Sequence, residues 1–261
     1  MEKLPVSVVL IAKNEARNLP ACLGAVAAWA GEIVVVVNDC TDGTEEVARS
    51  FGARVVPHAW ENFREQKNVA LAQATLPWVL ALDADERVTP ALRDEILAFL
   101  AAPGDAVAAA SPRLVTFLGR PIRHGDWYPD YGLRLVRNGK AKWTGAHDHC
   151  KLVAADGSGP IVRFRSDLDH ASFPDLASLV RKTPFHADNF VRTCRERGRR
   201  WGLLHAVFRP AWRFFRGYVL KRGFLDGYPG LVVAVAVAYE TFIRYARLFE
   251  SEQESELPPS A

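Results

Sequence analysis

Apolar positions in the first hundred residues form short unbroken runs, separated by stretches of mixed polarity. Val6 to Ala12 is a nearly continuous β-branched run that reads as a strand. The series Leu19, Cys22, Leu23 and Val26 after it has the three-to-four spacing of a helix face, with Asn14 as its candidate cap. The alternation repeats. A strand over 33–37 precedes a helix over 44–51, a short strand over 53–56 precedes a helix over 63–74, and a strand over 78–82 precedes a helix over 90–100 opened by Thr89 and Pro90. Strands apolar on both faces and joined through helices predict an α/β fold with a mostly parallel sheet flanked by helices.

In such a sheet ligands bind outside the carboxyl ends of the strands, where the strand order reverses. Three polar clusters fall on that edge. They are Lys13, Asn14 and Glu15 after the first strand, Asn38, Asp39 and Asp42 after the second, and Asp83 with Asp85 after the fourth. Asp83 and Asp85 stand one residue apart directly after five apolar residues. Two carboxylates so spaced can hold a divalent cation against a diphosphate, and hard oxygen ligands suit Mg2+ or Mn2+.

Composition narrows the class. With 261 residues, 49% of them hydrophobic and 24% charged, the chain can bury a substantial core. A net charge of +3, with no stacking aromatics in a nucleic-acid pattern, argues for no nucleic-acid partner. The four cysteines have no metal-finger or paired spacing and fit a reducing compartment. The apolar run at the N-terminus is too short for a signal-peptide core, and the longest apolar stretch, Leu231 to Tyr239, is too short to cross a bilayer.

The carboxy-terminal third changes character. From Arg181 to Arg222 there are twelve basic residues against two acidic ones, interleaved with Trp201, Phe208, Trp212, Phe215 and Tyr218. A basic, aromatic helical stretch suits an anionic membrane surface; the same pattern also suits a helix packed on the catalytic domain with a solvated basic face. One more helix is expected over 231–248, followed by an acidic, disordered tail.

Several motifs carry a resemblance. They are Ile11-Ala12-Lys13-Asn14-Glu15, Thr41-Asp42-Gly43-Thr44, Gln66-Lys67-Asn68, Leu82-Asp83-Ala84-Asp85-Glu86, the run from His124 to Tyr131, Leu133-Arg134-Leu135, and Leu220 to Gly227. In this order they resemble a family 2 glycosyltransferase of the GT-A type, a half-Rossmann sheet with, here, a helical C-terminal extension. Within that family the likeness is to the lipopolysaccharide core enzymes that add a β-linked sugar. Two departures stand out: no aspartate ends strand two at Val37 or Asn38, and the family's His-Glu pair becomes Gly145-Ala146-His147-Asp148-His149-Cys150.

The resemblance implies a metal-dependent inverting transfer of a hexose, glucose from UDP-glucose first, to a lipid-linked saccharide. It places Lys13, Asn14, Glu15, Asn38, Asp39, Asp42, Lys67, Asn68 and Asp83 around the donor, and Asp85 with Asp83 at the metal. Asp148 and Asp130 are alternatives for the base, and one of His147 and His149 is a candidate further metal ligand. Trp127, Tyr128, Tyr131 and Arg134 are expected at the acceptor, with a core role as the other reading of the aromatics. The expected organisation is a catalytic domain over 1–175, split into a nucleotide-sugar half (1–102) and an acceptor half (103–175), then a membrane-associating helical region (176–249) and the tail (250–261). The enzyme would work in the cytoplasm, peripherally on the inner face of the inner membrane. The rival readings are an inactive scaffold of this fold in an envelope-glycan assembly and a nucleotidyltransferase, whose glycine-rich phosphate loop is missing after strand one.

Overall fold

A computed structural model describes residues 3–145, 150–155, 159–173 and 175–256. The chain divides into two compact units, one of residues 1–113 with 130–170, the other of residues 114–129 with 171–261.

The first unit begins with the expected alternation: β1 (Leu4–Ala12), α1 (Leu19–Gly24), β2 (Ala30–Val37), α2 (Thr44–Ser50), β3 (Arg54–Pro57), α3 (Phe63–Ala72) and β4 (Trp78–Ala81). Next come β5 (Glu86–Val88), α4 (Pro90–Ala101), and β6 (Ala108–Phe117), whose last residues pass into the second unit, where they pair with β7 (Arg120–Pro121). The first unit resumes with β8 (Asp130–Arg137), β9 (Ala141–Thr144), β10 (Lys151–Ala154), β11 (Ile161–Arg163) and β12 (Leu168–His170).

The main sheet runs β3-β2-β1-β4-β8-β6-β12-β5. Its first four strands are parallel, and β8 then turns the sheet antiparallel against β4. Because the chain passes from β1 outward to β3 and returns to place β4 on the other side of β1, the order reverses between β1 and β4. Alternate residues feed two cores. Val8, Leu10, Val35, Val37 and Leu80 enter one, while Val9, Val34, Val36, Val79 and Ala81 enter the other.

Local chemistry sets the helix starts. Thr89 caps α4 by accepting from Leu92 N at 3.1 Å with Pro90 in the first turn, and Asn62 caps α3 by accepting from Glu65 N at 3.0 Å. The expected cap at Asn14 is corrected: Asn14 is left-handed, at φ 55°, its side chain accepts from Thr41 N, and α1 starts only at Leu19.

The second unit holds α5 (Leu176–Glu196), α6 (Leu203–Phe215), a π turn (Arg216–Leu220), a 3-10 turn (Gly223–Asp226) and α7 (Gly227–Glu256). Two of the family-like motifs are fastened together inside it. His124 donates from its backbone to Asp226 Oδ2 at 2.8 Å and its ring Nδ1 meets Asp226 Oδ1 at 2.8 Å, while Gly125 N donates to Lys221 O at 3.0 Å. A Cβ on Gly230 would stand 2.0 Å from Gly223 O, so only glycine lets α7 begin this close to the 3-10 turn.

Two expected boundaries move. Residues 114–129, expected in the acceptor half, belong with the helices, where Phe117, Ile122 and Trp127 pack with Leu179, Val233 and Val237. The tail expected to be disordered from 250 is helical to Glu256, because Ser251 is buried with its carbonyl accepting from Arg195 at 3.1 Å, and Glu252 accepts from Trp201 N at 2.7 Å. Among the described residues no helix is long and apolar enough to cross a membrane.

Candidate functional site

The loop after β4 lies at the switch point, and a network of charges shapes it. Glu86, completely buried, accepts from Asp83 N at 3.0 Å, and Glu86 N donates back to Asp83 O at 2.9 Å. Arg134 on β8 satisfies that buried carboxylate with Nε at 2.8 Å and Nη2 at 2.6 Å, and the same Nη2 lies 3.2 Å from Asp83 Oδ2. The other oxygen of Asp83 is ion-paired with Lys67 of α3. Burial pushes the Asp83 carboxyl up, but the Lys67 and Arg134 cations outweigh it and hold the group well below the usual carboxylate range. Burial also works against the charge on Arg134, and the Glu86 and Asp83 carboxylates more than restore it.

Asp85 sits differently. Its Oδ2 is 3.4 Å from His170 Nε2, and the pairing of β12 with β5 places His170 opposite Glu86, one residue along from Asp85. The carboxylates of the neighbouring loops crowd the same edge. Glu15 is pushed up chiefly by burial, then, against a hydrogen bond from Asn18, by the charges of Asp85 and Asp42. This accumulation of negative charge beside an imidazole fits a hard divalent cation. Among the described residues no three of His, Cys, Asp or Glu are grouped to hold a metal, so Asp85 and His170 would supply a partial shell. That suits Mg2+ or Mn2+, which commonly keep waters and take substrate phosphates as the remaining ligands.

The first two loops are knitted together. Lys13 donates to Asn38 Oδ1 at 3.2 Å, and Asn38 donates to Asp39 Oδ2 at 2.9 Å, with Asp39 left-handed at φ 43°. Glu15 N donates to Thr44 Oγ1 at 2.8 Å. Thus Lys13, Asn14, Glu15, Asn38 and Asp39 come together beside the switch point, as expected from the strand ends.

Four of the expected site residues are engaged within the protein. Asp42 uses both oxygens within the protein, taking Ala16 N on one and Thr44 N and Oγ1 on the other, so it ties loop to loop. Asn68 donates to Trp143 O at 3.1 Å and accepts from Trp143 N at 2.8 Å, fastening β9 to α3. Arg134 is buried, with its guanidinium engaged by Glu86 and Asp83. Trp127, in the second unit, stacks on Phe173 with centroids 5.0 Å apart and meets Phe117 edge-on, which is core packing.

Tyr128 is half-buried in the second unit, while Tyr131 is exposed in the first with Arg163 over its ring at 5.3 Å. Asp130 opens β8 and is ion-paired with Arg113. His147, Asp148 and His149 lie outside the described residues.

Sequence reasoning placed Glu86 in the polar cluster but gave it no role, and it missed Trp143 and His170. Glu86 was legible as the polar residue closing Asp83-Ala84-Asp85. Trp143, whose ring lies 4.4 Å from Lys67 Nζ, and His170 are brought in only by tertiary pairing.

The sheet, its switch point and this acidic loop define a GT-A glycosyltransferase fold. The chain belongs to Glycosyl transferase family 2, whose model matches residues 7–157, and it is a glycosyltransferase. An uncharacterized glycosyltransferase of Rickettsia felis is 27% identical over 96% of this chain and 91% of its own. The lipopolysaccharide core biosynthesis glycosyltransferase LpsC of Rhizobium meliloti is 27% identical over 95% of this chain and 93% of its own. Glucosyl-3-phosphoglycerate synthase from Mycobacterium tuberculosis, solved with Mn2+, uridine diphosphate and glucosyl-3-phosphoglycerate, is 24% identical over 41% of this chain and 43% of its own. Its TM-score of 0.36 is too low to bear on function.

Proposed function

We propose that this glycosyltransferase moves a hexose, glucose from UDP-glucose in the first instance, to a lipopolysaccharide core or related glycolipid with inversion at the anomeric carbon. The observation that carries the reading is the loop after β4: Asp83 clamped by Lys67 and Arg134, and Asp85 set against His170, at the switch point of the sheet. The similarity to LpsC along nearly the whole chain supports the acceptor class.

In this reading Lys13, Asn14, Glu15, Asn38 and Asp39 line the nucleotide side, and Asp83, fixed by its two cations, orients the ribose. Asp85 and His170 would hold Mg2+ or Mn2+, which would supply positive charge against the diphosphate of the donor. Lys67 adds a second cation on the same side. The acceptor hydroxyl oxygen forms the new bond to the anomeric carbon while the bond to the diphosphate oxygen breaks. Asp148 takes the hydroxyl proton, in preference to Asp130, whose carboxylate is engaged by Arg113. Tyr131, exposed on β8, offers an aromatic face to an acceptor sugar. The enzyme works at the inner face of the inner membrane, where a lipid-linked acceptor is presented.

Release of nucleoside diphosphate from UDP-, GDP- and ADP-sugars, with Mn2+ or Mg2+ and then with chelator, tests the reading. Chelator-sensitive release from one donor is the expected result, and Asp148→Asn is expected to slow transfer by orders of magnitude with donor affinity unchanged. Failure to bind any donor by calorimetry would overturn the transferase mechanism in favour of a scaffold.

A further inference from the structure

The second unit carries an apolar surface that glycosyl transfer leaves unexplained. On α6, Leu204, Phe208, Trp212 and Phe215 lie on the side of the helix away from buried Ala206, with Leu204 69% and Phe208 65% exposed. The exposure continues along the chain through Leu220 in the π turn, Leu225 in the 3-10 turn and Tyr228 at the start of α7, which is 73% exposed. An apolar surface of this extent marks an interaction face.

The charge around it says what the face meets. From Arg197 to Leu225 there are eight lysines and arginines and no acidic residue. Arg199, Arg200, Arg209, Lys221 and Arg222 are exposed. Arg216, Lys221 and Arg213 also converge on one buried carboxylate, Asp126, at 2.7, 3.2 and 3.3 Å. Three cations against one anion leave the cluster positive, and among the described residues Arg216 Nε is buried with no acceptor. A second copy of the chain would bring these cations against their own kind. Phosphate headgroups would neutralise them, and the amphipathic face would enter the boundary between headgroups and acyl chains.

We infer that the exposed face of α6 and the two turns after it seats the enzyme in the plane of a phospholipid bilayer bearing anionic headgroups. The inference rests on the proposed function only for the membrane that function requires, and donor chemistry plays no part in it. Among the described residues no helix is long and apolar enough to cross a membrane.

The test is flotation of the purified full chain with phosphatidylcholine vesicles, with and without phosphatidylglycerol, alongside donor binding by calorimetry. Recovery with the anionic vesicles is expected to exceed that with neutral vesicles about tenfold. Phe208→Glu with Trp212→Glu is expected to abolish flotation, whereas Trp60→Glu, at an exposed aromatic of the first unit, floats as the wild type does. Should the double variant misfold by circular dichroism, Arg200→Gln with Arg209→Gln and Arg222→Gln is expected to erase the preference for phosphatidylglycerol. No flotation of the wild type, or undiminished flotation of the folded variants, would overturn the inference. So would a wild-type dimer that ignores vesicles and is dissociated by the Phe208 and Trp212 substitutions. Donor binding that persists without flotation faults only the docking face, and flotation without donor binding faults only the transferase reading.

Discussion

Arg134 holds Asp83 across the sheet: its Nη2 lies 3.2 Å from Asp83 Oδ2 while the same guanidinium embraces the buried carboxylate of Glu86. A planar fork that serves two carboxylates has no equivalent in an ammonium group. Arg134→Met removes the only cation ion-paired with Glu86 among the described residues, so it is expected to cost about 3–5 kcal/mol. Calorimetry should then show a melting temperature lower by roughly 10 °C. Arg134→Lys should recover only part of the loss. A melting temperature unchanged in Arg134→Met would show that Glu86 is satisfied in some other way.

The pair of Asp85 and His170 predicts a different phenotype, loss of activity without loss of fold. Asp85→Asn and His170→Ala should each slow Mn2+-dependent release of nucleoside diphosphate about 100-fold while melting as the wild type does. Mn2+ titrated in the presence of nucleoside diphosphate and followed by paramagnetic resonance should bind more weakly to both. Full activity in His170→Ala would remove the imidazole from the cation shell and leave Asp85 to act alone.

The contrast between these residues shows what a sequence reveals. Asp83 and Asp85 were legible because an apolar run ends abruptly in them, and a parallel sheet puts such ends on one edge. His170 has no such context. It arrives through β12, a three-residue strand whose antiparallel pairing with β5 joins positions 80 to 84 residues apart in the chain. Arg134 was legible as a polar residue between two leucines, but its direction was not, since period-two alternation gives a face and not a partner. In the sequence Trp127 suits both an acceptor sugar and a core, because aromatics at such density fit either. Packing with Phe117 and Phe173 decides for the core at Trp127.

Asn68 offers a test of support at a distance. Its amide closes two hydrogen bonds on the backbone of Trp143, and the Trp143 ring lies against Lys67, the cation that holds Asp83. Asn68→Ala leaves a backbone donor and acceptor unpaired, at a cost of about 1–3 kcal/mol. Hydrogen exchange at the Trp143 amide should accelerate sharply, and the KM for donor should rise more than kcat falls. Unchanged protection of that amide would mean that β10 alone keeps β9 in place.

Asp126 predicts a pH dependence of the second unit. Burial pushes its carboxyl up, but the hydrogen bonds from Arg216 and Lys221 and the charges of Arg213 and Arg216 outweigh it, so the folded-state value is depressed. A depressed carboxyl stabilises the fold fully above the unfolded value, about 3.9, and that contribution disappears as pH falls through the folded value. In Asp126→Asn the carboxylate is gone at every pH, and the three cations repel one another unopposed. Denaturant titrations of the full chain should therefore show the variant less stable than the wild type by a constant margin at neutral pH, with the margin shrinking below about pH 4. A margin that stays constant into acid would assign the loss to packing against Gly217, where even a Cβ would stand 3.6 Å from Asp126 Cγ, and not to charge.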